Sequence, residues 1–313
     1  MAHAFAMEQA RVALERVAEL EQPYIAVLNR TRIHIEDKPI FDPDLDRTLD
    51  HLDAIVTAAR NYSVTRAVRP GSAEKAAATF RLGSIAGHRS QRDFYYRLAG
   101  SPAIRTICEV GFNAGHSTAI WLSANPSARV VSFDLFMNRF SLPCVQYLRT
   151  RFPDRLEIHR GDSMRTVPRA HPSTRCDLVH VDGRHSYAYT VMDFLHLVHK
   201  SHPATLFIFD DQCNPTACDA INAVPGEPTL ATCDLVSSQL LEPLVTFYSG
   251  ARQFALFRMC NASRALKQED QPKLPCSPLC DIKWTSDALQ LKWTQKGAKS
   301  RREQQQHLRD CRT

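Results

Sequence analysis

At 313 residues, with 44% hydrophobic and 23% charged side chains, the chain has room for one large domain plus an appendage and the composition of a globular protein. No apolar run approaches the roughly 20 residues that span a bilayer, and Glu8, Arg11, Glu15 and Arg16 interrupt any signal-peptide core, so a cytoplasmic protein without a membrane span is expected. The net charge of +6 is concentrated at the end, where Leu291 to Thr313 carries seven Lys or Arg against Glu303 and Asp310; a basic, Gln-rich tail of this kind reads as disordered and attracts phosphates non-specifically at most, so nucleic acid is not an expected partner.

In chain order, the first 90 residues read as helical. Met7 to Leu28 has apolar residues at helical spacing, and Pro43 opens a second amphipathic stretch through Leu45, Leu49, Leu52, Ile55 and Val56. A third helical region runs from Ala73 towards Leu98. These helices are expected to form a cap, or a surface through which the chain pairs with itself as a homo-oligomer.

From Ile104 the texture changes. Short β-rich runs alternate with helical segments: Ile104–Val110, Arg129–Phe133, Leu156–His159, Asp177–Val181 and Thr205–Phe209. That alternation predicts a parallel sheet wrapped by helices. Two further runs, Leu244–Tyr248 and Gln253–Phe257, flank a segment short enough for a hairpin. After Cys260 periodicity is lost. The boundaries that follow are 1–90 for the helical region, 91–260 for an α/β domain and 261–313 for a C-terminal extension.

The ten cysteines are expected to be reduced thiols in such a protein. Cys276 and Cys280 have half of a zinc spacing and no second pair. His196, His199 and His202 are expected on a solvated face.

The first strand runs directly into Gly111, and Gly115 opens the next helix. Glycine suits a place where the backbone turns sharply or lies against a ligand, and the helix start offers unpaired N–H donors. A dinucleotide fingerprint would need glycines where Asn113 and His116 stand. Asp134, after the second strand, can accept the hydroxyls of a ribose. Asp162 and Ser163, after the third, can meet an adenine edge. The competing structural reading makes the glycine a turn residue, and Asp134 and Asp162 helix caps.

In sequence, Glu109-Val110-Gly111-Phe112-Asn113-Ala114-Gly115-His116-Ser117, Phe133-Asp134-Leu135, Gly161-Asp162-Ser163, Val181-Asp182-Gly183-Arg184-His185-Ser186-Tyr187 and Phe209-Asp210-Asp211 resemble the ordered motifs of class I S-adenosylmethionine-dependent methyltransferases, in particular the branch called methyltransferase domain 24. The resemblance runs from about Gln91 to Met259. It implies a Rossmann-like α/β fold with seven strands ordered 3-2-1-4-5-7-6, the seventh antiparallel, here with a helical N-terminal extension. It implies S-adenosyl-L-methionine as cofactor, with Glu109, Gly111 and Gly115 at the methionine end, joined by Asn113 and Ser117 of the same loop. Asp134 would then hold the ribose, and Asp162 and Ser163 the adenine. Arg184 departs from the pattern, standing where the family usually has a second glycine.

Asp182, His185, Asp210 and Asp211 follow the fourth and fifth strands. Carboxylates brought together repel unless a cation joins them, and Mg²⁺ or another divalent ion on Asp182, Asp210 and Asp211 is the simplest. Such an ion would lower the pKa of an acceptor hydroxyl, with His185 to take the proton and Asp182 beside it. The arrangement resembles the catechol O-methyltransferase type, with His185 where that family has lysine. The expected function is O-methylation of a small-molecule or sugar-like hydroxyl. A nicotinamide-dependent oxidoreductase and a non-catalytic cofactor-binding module are the alternatives.

Overall fold

A computed structural model describes residues 39–66, 85, 88–212, 227–249 and 252–260. Met7 to Leu28, most of the region from Ala73, Cys213 to Gly226 and the C-terminal extension with its basic tail therefore lie outside the described residues. These divide into two compact units, one within Thr31–His171 and one within Pro172–Thr313. The seven strands have the order 3-2-1-4-5-7-6.

The first unit contains helices α1 (Pro43–Arg66) and α2 (Arg89–Ala99), then β1 (Thr106–Val110), α3 (His116–Ala124), β2 (Arg129–Asp134), α4 (Ser141–Arg151), β3 (Leu156–Arg160) and α5 (Ser163–Arg169). Its strands pair in parallel, β1 with β2 and β2 with β3. All five residues of β1 are buried, which suits a strand covered on both faces. Trp121 of α3 is stacked on Tyr95 of α2, ring centroids 4.5 Å apart. The stripe Leu45, Leu49, Leu52 and Val56 of α1 is buried, as expected of an amphipathic helix. Asn125 ends α3 by donating from Nδ2 to the carbonyls of Ala99, Ser101 and Ile104. Arg155 covers the carbonyls of Leu122, Asn125 and Ala128 from the other side. A cation at a helix C-terminus is favourable for the same reason that these carbonyls are otherwise unpaired.

The second unit contains β4 (Cys176–Val181), α6 (Tyr187–Val198), β5 (Ser201–Asp210), α7 (Glu227–Ser237), β6 (Leu241–Ser249) and β7 (Arg252–Met259). Strands β4 and β5 are parallel, whereas β7 is antiparallel to both β5 and β6. The expected hairpin is present, with Ser249 paired to Arg252. Phe194, Phe207, Phe209 and Phe257, from α6, β5 and β7, pack together as the aromatic core of this unit. Strand β5 begins four residues earlier than the sequence suggests. There His202 is buried, its Nε2 bonded to Asp177 at 2.8 Å and its Nδ1 accepting from the Ala204 N–H. It is a satisfied core histidine rather than part of a solvated face.

Among the described residues no helix is long and apolar enough to cross a membrane. Cys144, Cys233 and Cys260 are outside any disulfide, as expected. Cys108 and Cys176 depart from that expectation, since each is disulfide-bonded.

Candidate active site

The glycine loop is built around a buried carboxylate. Glu109 is 0% exposed and accepts from Ser117 Oγ and Thr118 Oγ1 at 2.5 Å each, from Ser132 Oγ at 3.1 Å and from Trp121 Nε1 at 3.4 Å. Short O–H···O⁻ bonds of this kind are strong and orient their donors. A carboxylate at the end of β1 thus grips the first turns of α3 and the middle of β2. It holds the loop's two ends at a fixed separation.

Between those ends the backbone turns through left-handed conformations: Gly111 has φ 103°, Asn113 50° and Gly115 79°. At Gly115 the reason for glycine lies inside the protein. A Cβ there would come within 2.6 Å of Phe112 and 2.7 Å of Leu148, closer than carbon atoms pack. Asn113 is fixed by three bonds: its N–H donates to Asp134 Oδ2 at 2.8 Å, its carbonyl accepts from Ser141 Oγ at 2.7 Å, and its Oδ1 accepts from Asn138 at 3.1 Å.

Asp134 therefore does structural work. Its Oδ1 accepts from the Phe136 N–H at 2.5 Å, so each oxygen holds one loop amide and keeps lone pairs in reserve. It is half-buried, at the carboxyl end of β2, as an acid facing a ribose would be. Asp162 caps α5, accepting from the Met164 N–H at 3.0 Å, and Ser163 is buried as the first residue of that helix. The capping reading is thus realised at Asp162.

The helix start has a further tie that sequence reasoning missed. His116, 5% exposed, is bonded through Nε2 to Asp53 of α1 at 2.9 Å. His51 of the same helix stacks on Tyr147 of α4, centroids 4.1 Å apart. Helix α1 is fastened to the residue that follows Gly115.

The second cluster lies in the second unit, after β4 and β5. Its acids come together as two overlapping groups that share Asp182: Asp182 with His185 and Asp211, and Asp182 with His180 and Asp210, the candidate ligand atoms of each group lying within 4.8 Å of one another. His185 bridges the first group, Nε2 lying 3.4 Å from Asp182 and Nδ1 2.8 Å from Asp211. Its side chain is 55% exposed. Hydrogen bonds to Asp182 and then Asp211 raise its pKa to about 10, against the opposing pull of burial. In the metal-free chain His185 is an imidazolium at neutral pH.

Asp210 is 5% exposed and accepts from the Asp211 N–H at 3.0 Å. Asp211 itself has φ 55°, a conformation more accessible to Asp than to most residues. The turn from β5 is thus shaped to put consecutive carboxylates into different groups. His180, on β4, was not anticipated, but the alternation of a strand puts residues 180 and 182 on one face.

Residues 108–212 match the family described as a methyltransferase domain, Methyltransf_24. No curated protein sequence matches the chain. Among solved structures, similarity is found to the O-methyltransferase TomG of Streptomyces achromogenes in complex with SAM, at 16% identity over 71% of this chain and 91% of that one, with a TM-score of 0.49. An O-methyltransferase from Bacillus cereus in complex with SAH is 16% identical over 74% of this chain and 97% of that one, TM-score 0.47. The SAH-bound methyltransferase PaMTH1 of Podospora anserina is 13% identical over 72% and 98%, TM-score 0.46. The family match spans the glycine loop, both acids after β2 and β3, and the whole second cluster, and the seven strands stand in the order 3-2-1-4-5-7-6 expected from the class I methyltransferase resemblance.

Proposed function

We propose that the chain transfers a methyl group from S-adenosyl-L-methionine to an oxygen of a small-molecule or sugar-like acceptor, assisted by a divalent cation. The observation that carries the oxygen assignment is the meeting of Asp182, His185 and Asp211, with Asp182 shared by His180 and Asp210. A neutral amine attacks a sulfonium methyl group unaided. A hydroxyl attacks well only as its proton leaves, and a set of carboxylates around an imidazole suits that need.

The donor set fits a divalent ion. The oxygens of Asp182, Asp210 and Asp211 suit Mg²⁺ or Mn²⁺, and the nearby imidazoles widen the choice to borderline metals. A bound ion would supply Lewis acidity to the acceptor oxygen and lower its pKa. A cation on Asp182 and Asp211 would draw off the carboxylate charge that keeps His185 protonated, leaving its exposed imidazole to take the proton from the acceptor hydroxyl. Asp182 orients the imidazole.

In the first unit, Gly111, Asn113, Gly115 and Ser117 receive the methionine end of the cofactor, Asp134 the ribose, and Asp162 with Ser163 the adenine. Glu109 acts on the cofactor by fixing Ser117 and the start of α3, given that its carboxylate is enclosed. That is positioning rather than contact.

Calorimetric titration with S-adenosylhomocysteine tests the cofactor: saturable binding is expected, weakened by about tenfold or more in Asp134→Ala, as for the loss of hydrogen bonds to a charged group. Absence of binding to folded protein would overturn the reading. For the metal, incorporation of labelled methyl groups from the cofactor into a cell extract should stop on chelation and in Asp182→Ala. Incorporation that survives both sinks the metal assignment.

A further inference from the structure

The cleft at the ends of β4 and β5 is lined by Asp182, Arg184, His185, Thr190 and Asp210, among others. His185 lies between two carboxylates, 3.4 Å from Asp182 and 2.8 Å from Asp211. Arg184 stands beside them in sequence, yet among the described residues it forms no ion pair with any carboxylate. Its guanidinium carbon instead lies over the ring of Tyr189, 4.9 Å from the centroid.

That geometry is informative. An exposed arginine next to three aspartates would ordinarily turn towards them. Packing on an aromatic face uses the flat side of the guanidinium and leaves the N–H groups along its edge for another acceptor. The backbone of Arg184 is also fixed, since its carbonyl accepts from the Ser186 N–H at 2.7 Å. The first turn of α6 is in turn braced by Thr190 Oγ1 donating to the Ser186 carbonyl at 3.0 Å. The result is a guanidinium held over Tyr189 in the lining of an acidic cleft. Two parallel N–H donors match the spacing of a carboxylate or phosphate.

We propose that Arg184 binds an oxyanion of the methyl acceptor, so that the acceptor is an anionic hydroxyl compound rather than a neutral one. The proposal rests on the reading of this cleft as the acceptor site. It accounts for how an anion enters a cleft with excess carboxylate: the hydroxyl goes to the acid cluster and the oxyanion to Arg184. The arginine thereby sets which end of the acceptor faces the aspartates.

The test is calorimetry on the full chain, with and without S-adenosylhomocysteine, using two pairs of probes. Protocatechuate is compared with catechol for a carboxylate, and glycerol phosphate with glycerol for a phosphate. At least one anion should bind about tenfold or more tighter than its neutral counterpart, the scale of a charge-assisted hydrogen bond. Which pair shows the preference identifies the oxyanion. Arg184→Gln should erase the preference, and Arg184→Lys should keep part of it, because lysine retains charge without the fork. Equal binding within both pairs, no binding by either anion, or a preference that survives Arg184→Gln overturns the proposal. The cofactor titration is read separately. A chain that prefers the anion through Arg184 but fails to bind S-adenosylhomocysteine overturns the methyltransferase mechanism and leaves the oxyanion site standing.

Discussion

Removing the Glu109 carboxylate separates a positioning role from a ligand role. In Glu109→Ala, three hydroxyls and an indole N–H lose a common acceptor in a place with no access to water. Each hydrogen bond to a charged group contributes about 1.5–3 kcal/mol. The four do not add, because hydroxyls can rotate to other acceptors and the cost of burying the carboxylate is itself relieved. A net loss of about 3–5 kcal/mol is expected, the scale for breaking a buried charged network. Glu109→Gln keeps the volume and one acceptor oxygen but offers an amide to donors, and should cost about 1–3 kcal/mol. Denaturant titration followed by near-ultraviolet circular dichroism measures both, and calorimetry with S-adenosylhomocysteine runs beside it. Stability and cofactor affinity should fall together, with Gln intermediate in each. If Glu109→Ala stays within about 1 kcal/mol of the parent, the ordinary range of an uninvolved position, while affinity disappears, the carboxylate is a direct ligand and the anchoring argument is wrong.

Gly115→Ala combines a left-handed backbone with contacts near 2.6 Å and should lose about 2–4 kcal/mol. Gly100→Ala, in a right-handed conformation with its nearest neighbour at 3.3 Å, should stay within about 1 kcal/mol; equal losses would refute the steric account. The Cys144 thiol, pushed up to about 12 by burial and then by Asp53, should resist alkylation at mildly alkaline pH until the chain unfolds. Reaction at the rate of a free thiol in folded protein contradicts this. Tyr96 is raised from 10.0 to about 12 by burial and by its hydrogen bond to Asp42. Its folded state therefore holds the proton more tightly, so the stability it adds is complete below pH 10 and is lost as pH rises towards about 12. Spectrophotometric titration should show a late phenolate that is absent in Tyr96→Phe. His185→Gln removes the internal cation from Asp182 and Asp211. Mg²⁺ or Mn²⁺ should then raise the melting temperature of the variant more than that of the parent, and an equal response in both would mean that ion and imidazole do not share a site.

The strands were legible because each is a short β-rich run bounded by turns, and all seven form. Boundaries slipped where polar residues are satisfied out of sequence. The start of β5 is an example: His202 reads as solvated, yet Asp177 supplies its partner from the start of β4. The acids of the loop were legible as a set but not in their division of labour. Glu109 precedes Gly111 in a motif, and nothing local says that Ser132, on the next strand, will bond to it. Asp53 and His116 are 63 positions apart with no pattern to connect them. By contrast, His180 could have been found, since it stands on β4 two residues before Asp182, which directly follows the strand.

The second cluster shows where charge reasoning succeeded and where it was incomplete. Three carboxylates after β4 and β5 do require positive charge, and the structure supplies one unit of it from His185, between Asp182 and Asp211. Asp210 faces a different set, with His180. Arg184, the nearest guanidinium in sequence, is directed to Tyr189 instead. A cation held beside such acids without being spent on them is best explained by a negative charge that arrives from outside. On the proposed reading an ion would compensate the aspartates that follow β4 and β5, and Arg184 would compensate the acceptor.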